Sequence, residues 1–238
     1  MKNILLITAK EFQSYFNSSI AYIFMTVFLV LTHWLFFRGF FLFNQATLRP
    51  FFALLPWVFL FFVPAITMRL WAEERKLGTM EVLMTLPLKD YEVVLGKFFA
   101  AYGLLILTVV LSFPLVIVVA TFGDPDSGQL WGGFLGAILL GGAYLSLGLF
   151  VSSLSENQIV AFILGVALSF LLLILGESFV LLAAPGWVAP LLEYLGLHTH
   201  FESIGRGVLD SRDVIYYLSV MVFFLFLNVR SVESRKWK

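Results

Sequence analysis

Apolar runs as long as a lipid bilayer is thick dominate this chain and restrict what it can fold into. A helix crossing a hydrocarbon core of about 30 Å needs about 20 mostly apolar residues. Six stretches meet that length, at 20–43, 51–71, 98–122, 131–153, 158–183 and 213–230. The chain is 61% hydrophobic and 13% charged, with a mean hydropathy of +0.96. A water-soluble domain of 238 residues has no interior large enough to hide so much apolar surface, so lipid is the solvent. The expected fold is an all-α integral membrane protein, a single transmembrane domain over 1–238. Pro56, Pro64 and Pro114 fall inside runs, where they are expected to kink helices rather than end them.

The chain holds no cysteine, which excludes disulfides and thiolate chemistry. Its 15 basic and 15 acidic residues cancel, so there is no general attraction to nucleic acid and the placement of charge carries the information. Eleven basic residues gather on one side of the predicted spans: Lys2, Lys10, Arg69, Arg75, Lys76, Lys89, Lys97, Arg230, Arg235, Lys236 and Lys238. The other side holds Arg49, Arg206 and Arg212, with Arg38 near that end of the first span. The positive-inside rule places the first group in the cytoplasm. Both termini are then cytoplasmic, and the expected location is a bacterial cytoplasmic (inner) membrane. Residues 1–17 place Ile4, Leu5, Phe12, Tyr15 and Phe16 at roughly helical spacing. They predict an interfacial amphipathic helix; a frayed extension of the first span is the alternative.

The loop 73–90 interrupts the apolar pattern with EERKLGTMEVLMTLP. Gly78 is expected to break the outgoing helix, Thr79 to cap a short new one, Glu81 to suit its dipole and Pro87 to stop it. Met80, Leu83 and Met84 fall at i, i+3 and i+4 and give that helix an apolar face. Such a helix is too short to stand alone and needs a surface. Periodicity leaves two surfaces open: the membrane interface, with the charges acting only as topology anchors, or another protein.

The string EERKLGTMEVLMTLPLKDYEVVLGKF resembles the first cytoplasmic loop of ABC-2-type transporter permeases: acid, then Gly-Thr-x-Glu, then proline, then Gly96-Lys97 entering the third span. SLSENQIVAFILG and HTHFESIGRGVLDSRDVIYYLS extend the likeness toward the gliding-motility-associated branch of that family. The resemblance implies an interfacial helix, six spans, a coupling helix between spans two and three, and short re-entrant helices over 184–212 between spans five and six. It also implies that the coupling helix docks on a separate ABC ATP-binding subunit. The contact would be made by Gly78, Thr79, Met80, Glu81, Leu83, Met84, Leu86 and Pro87, with Glu73, Glu74 and Arg75 as supporting charges. A second permease copy or a related permease would complete the usual twelve helices, and an extracytoplasmic accessory protein is a further implied partner.

ATP chemistry does not fit this chain itself. A P-loop requires Gly-x4-Gly-Lys-Ser/Thr, but around Gly96-Lys97 Tyr91 replaces the first glycine and Phe98 the hydroxyl. No cofactor is expected in the chain, and ATP with Mg²⁺ belongs to the partner subunit. No catalytic residue is expected either. His198, His200 and Glu202 alternate as in a loop or strand and lack a further ligand, so no metal site is expected. Asp210 can cap the last helix, with Asp213 three residues on. His200, Phe201, Glu202 and Arg206 are candidates for an outer gate. Arg38 and Glu177 lie near the outer ends of their spans, where they pair across helices or snorkel separately to the headgroups. Gly132, Gly133, Gly136, Gly141 and Gly142 offer surfaces for close helix approach. The leading functional reading is a permease subunit coupling ATP hydrolysis elsewhere to export or mechanical work. The alternatives are an ion-driven secondary transporter, which would need midplane carboxylates or histidines beyond His33, and a membrane anchor of a motility or envelope complex.

Overall fold

In a computed structural model describing residues 2–43, 45–80, 85 and 87–234, the described chain is helical wherever it is regular. The helices are α1 (Lys2–Asn17), α2 (Ile20–Phe43), α3 (Arg49–Lys76), α4 (Asp90–Val110), α5 (Pro114–Phe122), α6 (Ser127–Leu154), α7 (Gln158–Ile174), α8 (Ser178–Ala183), α9 (Ala189–Leu195), α10 (Leu197–Gly205) and α11 (Ser211–Glu233). Among the described residues, five stretches are long and apolar enough to cross a membrane: Ile20–Leu42, Arg49–Lys76, Asp90–Phe122, Ser127–Leu154 and Ser211–Glu233. The fifth predicted span, 158–183, is divided. α7 is apolar but has 17 residues, about 26 Å at 1.5 Å per residue, and a turn separates it from α8. The break sits where Gly176 meets Gly196: a Cβ on Gly196 would lie 2.6 Å from the Gly176 backbone.

The third predicted span begins earlier than hydropathy alone indicates. Lys89 N–H donates to the Glu92 carboxylate at 3.1 Å, and Asn3 Nδ2 donates to the same carboxylate at 3.0 Å. This polar closure starts α4 at Asp90. Pro56 and Pro64 are carried inside the continuous α3, whereas at Pro114 the helix is interrupted by a turn over 111–113 before α5 resumes. Proline lacks the N–H that would continue the ladder and fits best in a first turn, which is the place it takes in α5.

The central element is α6, with 83% of its most apolar window buried. Its glycines are the reason it can serve neighbours on every side. Gly133 faces Phe52 of α3, Gly141 faces Leu105 of α4, Gly142 faces Met221 of α11, and Gly148 faces Thr67 of α3. Gly132 and Gly136 face α10, against Ile204 and Phe201. Without Cβ atoms these helices approach closely enough for dispersion to hold them where lipid supplies no hydrophobic drive.

α1 shows helical alternation in its burial. Residues 3, 4, 7, 8, 11, 12, 15 and 16 face the protein, while Leu5 and Leu6 are exposed. Leu5 therefore lies opposite the packed stripe to which the spacing assigned it. Ile7 seats on Gly96, Phe12 touches Gly103, and Thr8 Oγ1 donates to the Gly96 carbonyl at 3.3 Å. These rising pairs run α1 alongside α4 in the same direction. The loops sort into two ends. One carries the end of α3, the α6–α7 turn and the C-terminal part of α11; the other carries α8 to α10.

Candidate functional site: the elbow and its anchors

The elbow begins where α3 ends at Lys76. Gly78 adopts φ 71°, a left-handed conformation that glycine takes without steric cost, so the expected break is present. The Thr79 hydroxyl donates back to the Glu74 carbonyl at 3.2 Å; the N–H groups it was expected to cap lie outside the described residues. Glu81, Leu83, Met84 and Leu86 of the expected coupling helix lie outside the described residues. Met80 is 8% exposed and belongs to the chain's own core. It is therefore unavailable as the outward apolar contact that its spacing implied. Leu77, which the sequence reading passed over, is 67% exposed at the tip of the elbow.

The three charges entering the elbow all turn inward. Glu73 receives Arg69 Nε at 2.7 Å and Nη2 at 3.0 Å, a bidentate pair one turn apart. Glu74 receives Lys97 Nζ at 2.6 Å. Lys97 is 1% exposed, lies 5.2 Å from the centre of the Trp71 ring, and also approaches Glu11 of α1 at 3.4 Å. Arg75 donates to the Ser153 carbonyl at 3.1 Å and to Glu156 at 2.9 Å. The same junction is tightened by Ser152, whose hydroxyl accepts from the backbone N–H of Trp71 and Ala72 and donates to the Met68 carbonyl. Adjacent residues of one helix end thus reach α1 and α4 through Glu74, and the α6–α7 turn through Arg75.

Beside these pairs lies a cavity of about 330 Å³, lined on its polar side by Glu11, Tyr15, Arg69, Glu73, Glu74 and Lys97. Tyr15 is 8% exposed, and burial, reinforced by Glu11, pushes its phenol above the ordinary value. It is a neutral hydroxyl near neutral pH.

At the opposite end the candidate gate residues separate. His198 and His200 occupy α10, not a strand or loop, and two residues along a helix point apart. His200 Nε2 faces the Tyr194 carbonyl at 2.9 Å and Nδ1 faces Asp213 Oδ1 at 2.7 Å. A carbonyl only accepts, so Nε2 carries hydrogen and donates to it, while Nδ1 and Asp213 Oδ1 are in hydrogen-bond contact. Tyr216 stacks on the ring at 3.9 Å and donates to the Leu195 carbonyl at 2.6 Å. Tyr217 donates to the Leu197 carbonyl at 2.7 Å. Asp210 caps α11 through the Arg212 N–H at 2.9 Å, while Asp213 is committed to His200 rather than to that cap. Phe201 is buried, and Glu202 and Arg206 form an exposed pair at 3.9 Å. Asp213→Ala is expected to cost about 2 kcal/mol, the scale of a charge-assisted hydrogen bond, read as a loss of unfolding free energy in mixed micelles.

Glu177 does not pair with Arg38. It lies 3.6 Å from His198, whereas Arg38 is exposed and joins no ion pair among the described residues. His33 packs edge-on to Phe51, far along the sequence from the other histidines. No group of three or more His, Asp or Glu residues among the described residues is placed to hold a metal ion.

Several long apolar helices surrounding a glycine-lined central helix, with a charged elbow at one end, define a multi-pass membrane protein. The family model for the ABC-2 family transporter proteins matches residues 1–227, and the chain belongs to that family of membrane permeases. No curated protein matches the chain.

Proposed function

We propose that the chain is the permease subunit of an ABC transporter whose elbow receives the stroke of a separate ATP-binding subunit. ATP and Mg²⁺ are bound and used on that partner. The supporting observation is the divergence of Glu74 and Arg75 from one helix end: the first is tied to Lys97 and, through it, to Glu11, the second to Ser153 and Glu156. A push on the elbow is then delivered to α1, α4, α6 and α7 together, because salt-bridged and hydrogen-bonded elements move as units. Glu73, Glu74 and Arg75 act as transmitters in this reading. The docking contact is left to the exposed Lys76, Leu77 and Thr79, with Glu81, Leu83, Met84 and Leu86 beyond them.

In this layout α7, extended by α8, completes six spans, and both termini share the elbow's cytoplasmic side of an inner membrane. The α9–α10 segment is a re-entrant lid over the far end, pinned to α11 by His200 and Asp213. Two copies, or this chain with a related permease, enclose the path, and an extracytoplasmic accessory protein meets the lid. The likeness to the gliding-motility-associated branch favours export or mechanical work as the output.

Co-purification with the ATP-binding subunit tests the docking surface. Leu77→Asp places a charge on a side chain that makes little internal contact, so the permease itself should remain folded. Recovery of the partner should fall about tenfold, equivalent to about 1.4 kcal/mol. Unchanged recovery with both Leu77→Asp and Thr79→Asp would remove the elbow from the interface.

A further inference from the structure

The described residues lining the cavity beside the elbow carry more negative than positive charge. Glu11, Glu73 and Glu74 line it against Arg69 and Lys97. Arg69 is matched to Glu73, and Lys97 lies 2.6 Å from Glu74 but 3.4 Å from Glu11, which leaves Glu11 the least neutralised. Two polar atoms of the lining have no hydrogen-bond partner among the described residues: the Tyr15 hydroxyl and Glu74 Oε2. Tyr15 is a side chain 8% exposed. Orphaned polar atoms at this depth are costly unless something meets them. Ser14 and Ser18, whose hydroxyls donate to the Glu11 and Tyr15 carbonyls, and the apolar Ile20, Ile66, Leu70 and Leu77 complete the described wall. Leu77 opens outward at 67% exposure. α2 leaves from Ile20 with Tyr22 and Ile23 exposed at 56% and 58%, so an apolar surface continues from the cavity along the helix.

We propose that this cavity binds a primary ammonium group, and that its occupant is the headgroup of an aminophospholipid from the leaflet on the elbow's side. One monocation balances the excess carboxylate. Three N–H donors can reach Glu11, Glu74 Oε2 and the Tyr15 oxygen, which an ammonium satisfies and a trimethylammonium does not. The acyl chains follow the apolar wall at Ile20 and continue along α2 past Tyr22 and Ile23. The site joins α1 to the end of α3, so the bound lipid braces the elbow against the interfacial helix. This rests on the cavity and its charges and not on docking of an ATP-binding subunit.

The test places the full chain in nanodiscs of equal parts phosphatidylethanolamine and phosphatidylcholine, releases it into mild detergent, and measures retained lipid by native mass spectrometry. Phosphatidylethanolamine should be retained at least about fivefold over phosphatidylcholine, the ratio that about 1 kcal/mol of hydrogen bonding produces. Glu11→Gln removes the excess charge while leaving the Lys97–Glu74 pair, and Tyr15→Phe removes one hydroxyl; each should bring the ratio below about two. Equal retention by the unaltered protein, or a ratio that both variants leave intact, would overturn the proposal. Soluble glycerophosphoethanolamine separates the sources of the ammonium. Failure to displace the lipid at millimolar concentration supports the lipid assignment. Complete displacement would overturn it, leaving a site for free amines.

Discussion

Replacing Lys97 with methionine should destabilise the protein by about 2–4 kcal/mol and uncouple the elbow from α4. Removing one partner of a buried ion pair costs about 3–5 kcal/mol, because the surviving charge is left without compensation. The lower figure applies here because the carboxylates of Glu11 and Glu74 retain 20% and 25% exposure and can recruit water. Methionine preserves most of the lysine stem, so the loss is that of the charge and of its position near Trp71 rather than of packing volume. Reversible unfolding in mixed micelles gives the free energy. Adding Glu74→Gln to Lys97→Met removes the stranded charge and should recover all but about 1 kcal/mol. If the double variant is as unstable as the single one, the ion pair is not what Lys97 contributes. The double variant also separates stability from coupling. Under the proposed coupling, it should bind an ATP-binding subunit normally and fail to stimulate its ATPase, because the link from elbow to α4 is missing.

Lys97 also shows where the sequence stopped being readable. Its position after Gly96 was visible, and its failure as a P-loop lysine could be settled from Tyr91 and Phe98. Its burial could not, because Glu11 and Glu74 are 86 and 23 residues away and no local spacing marks them as partners. Arg75 and Glu156 have the same character, 81 residues apart. A charge run next to a span identifies a membrane boundary, and only the packing of helices shows whether those charges face a partner or one another. Helices α2, α3 and α6 were legible because lipid requires continuous apolar length. The division of α7 from α8 was not, because it depends on the approach of Gly176 to Gly196 across 20 residues of intervening chain. Met80 is the opposite error: its i, i+3, i+4 pattern was apparent, but periodicity cannot say which surface an apolar face covers. The glycines of α6 were read correctly as places of close approach, since an apolar helix with so many missing Cβ atoms has few other uses for them.

Gly132→Ala should have the largest effect at the lid end, because its added Cβ would lie 2.5 Å from the Ile204 carbonyl oxygen and 3.2 Å from the Gly207 Cα. Both obstacles are backbone atoms. A side chain in the way can change rotamer, as Leu105 can opposite Gly141, but Ile204 and Gly207 can yield only by moving the end of α10. Overpacking of this kind costs about 1–3 kcal/mol, and a backbone obstacle belongs at the upper end of that range. The displacement is aimed at a lever. α10 also holds His200, whose bonds to Asp213 and the Tyr194 carbonyl fix α10 to α11 and α9, and Gly207 has φ 89° in the turn that follows. Shifting the helix should therefore loosen the lid beyond the site of the clash. The chain has no cysteine, so a single Ser203→Cys reports on α10 without background labelling. The rate of maleimide modification at position 203 should rise about tenfold when Gly132→Ala is added, corresponding to about 1.4 kcal/mol in the opening equilibrium. An unchanged rate, with stability also within about 0.5 kcal/mol of the parent, would mean that α6 and the lid are not in the close contact that Gly132 permits.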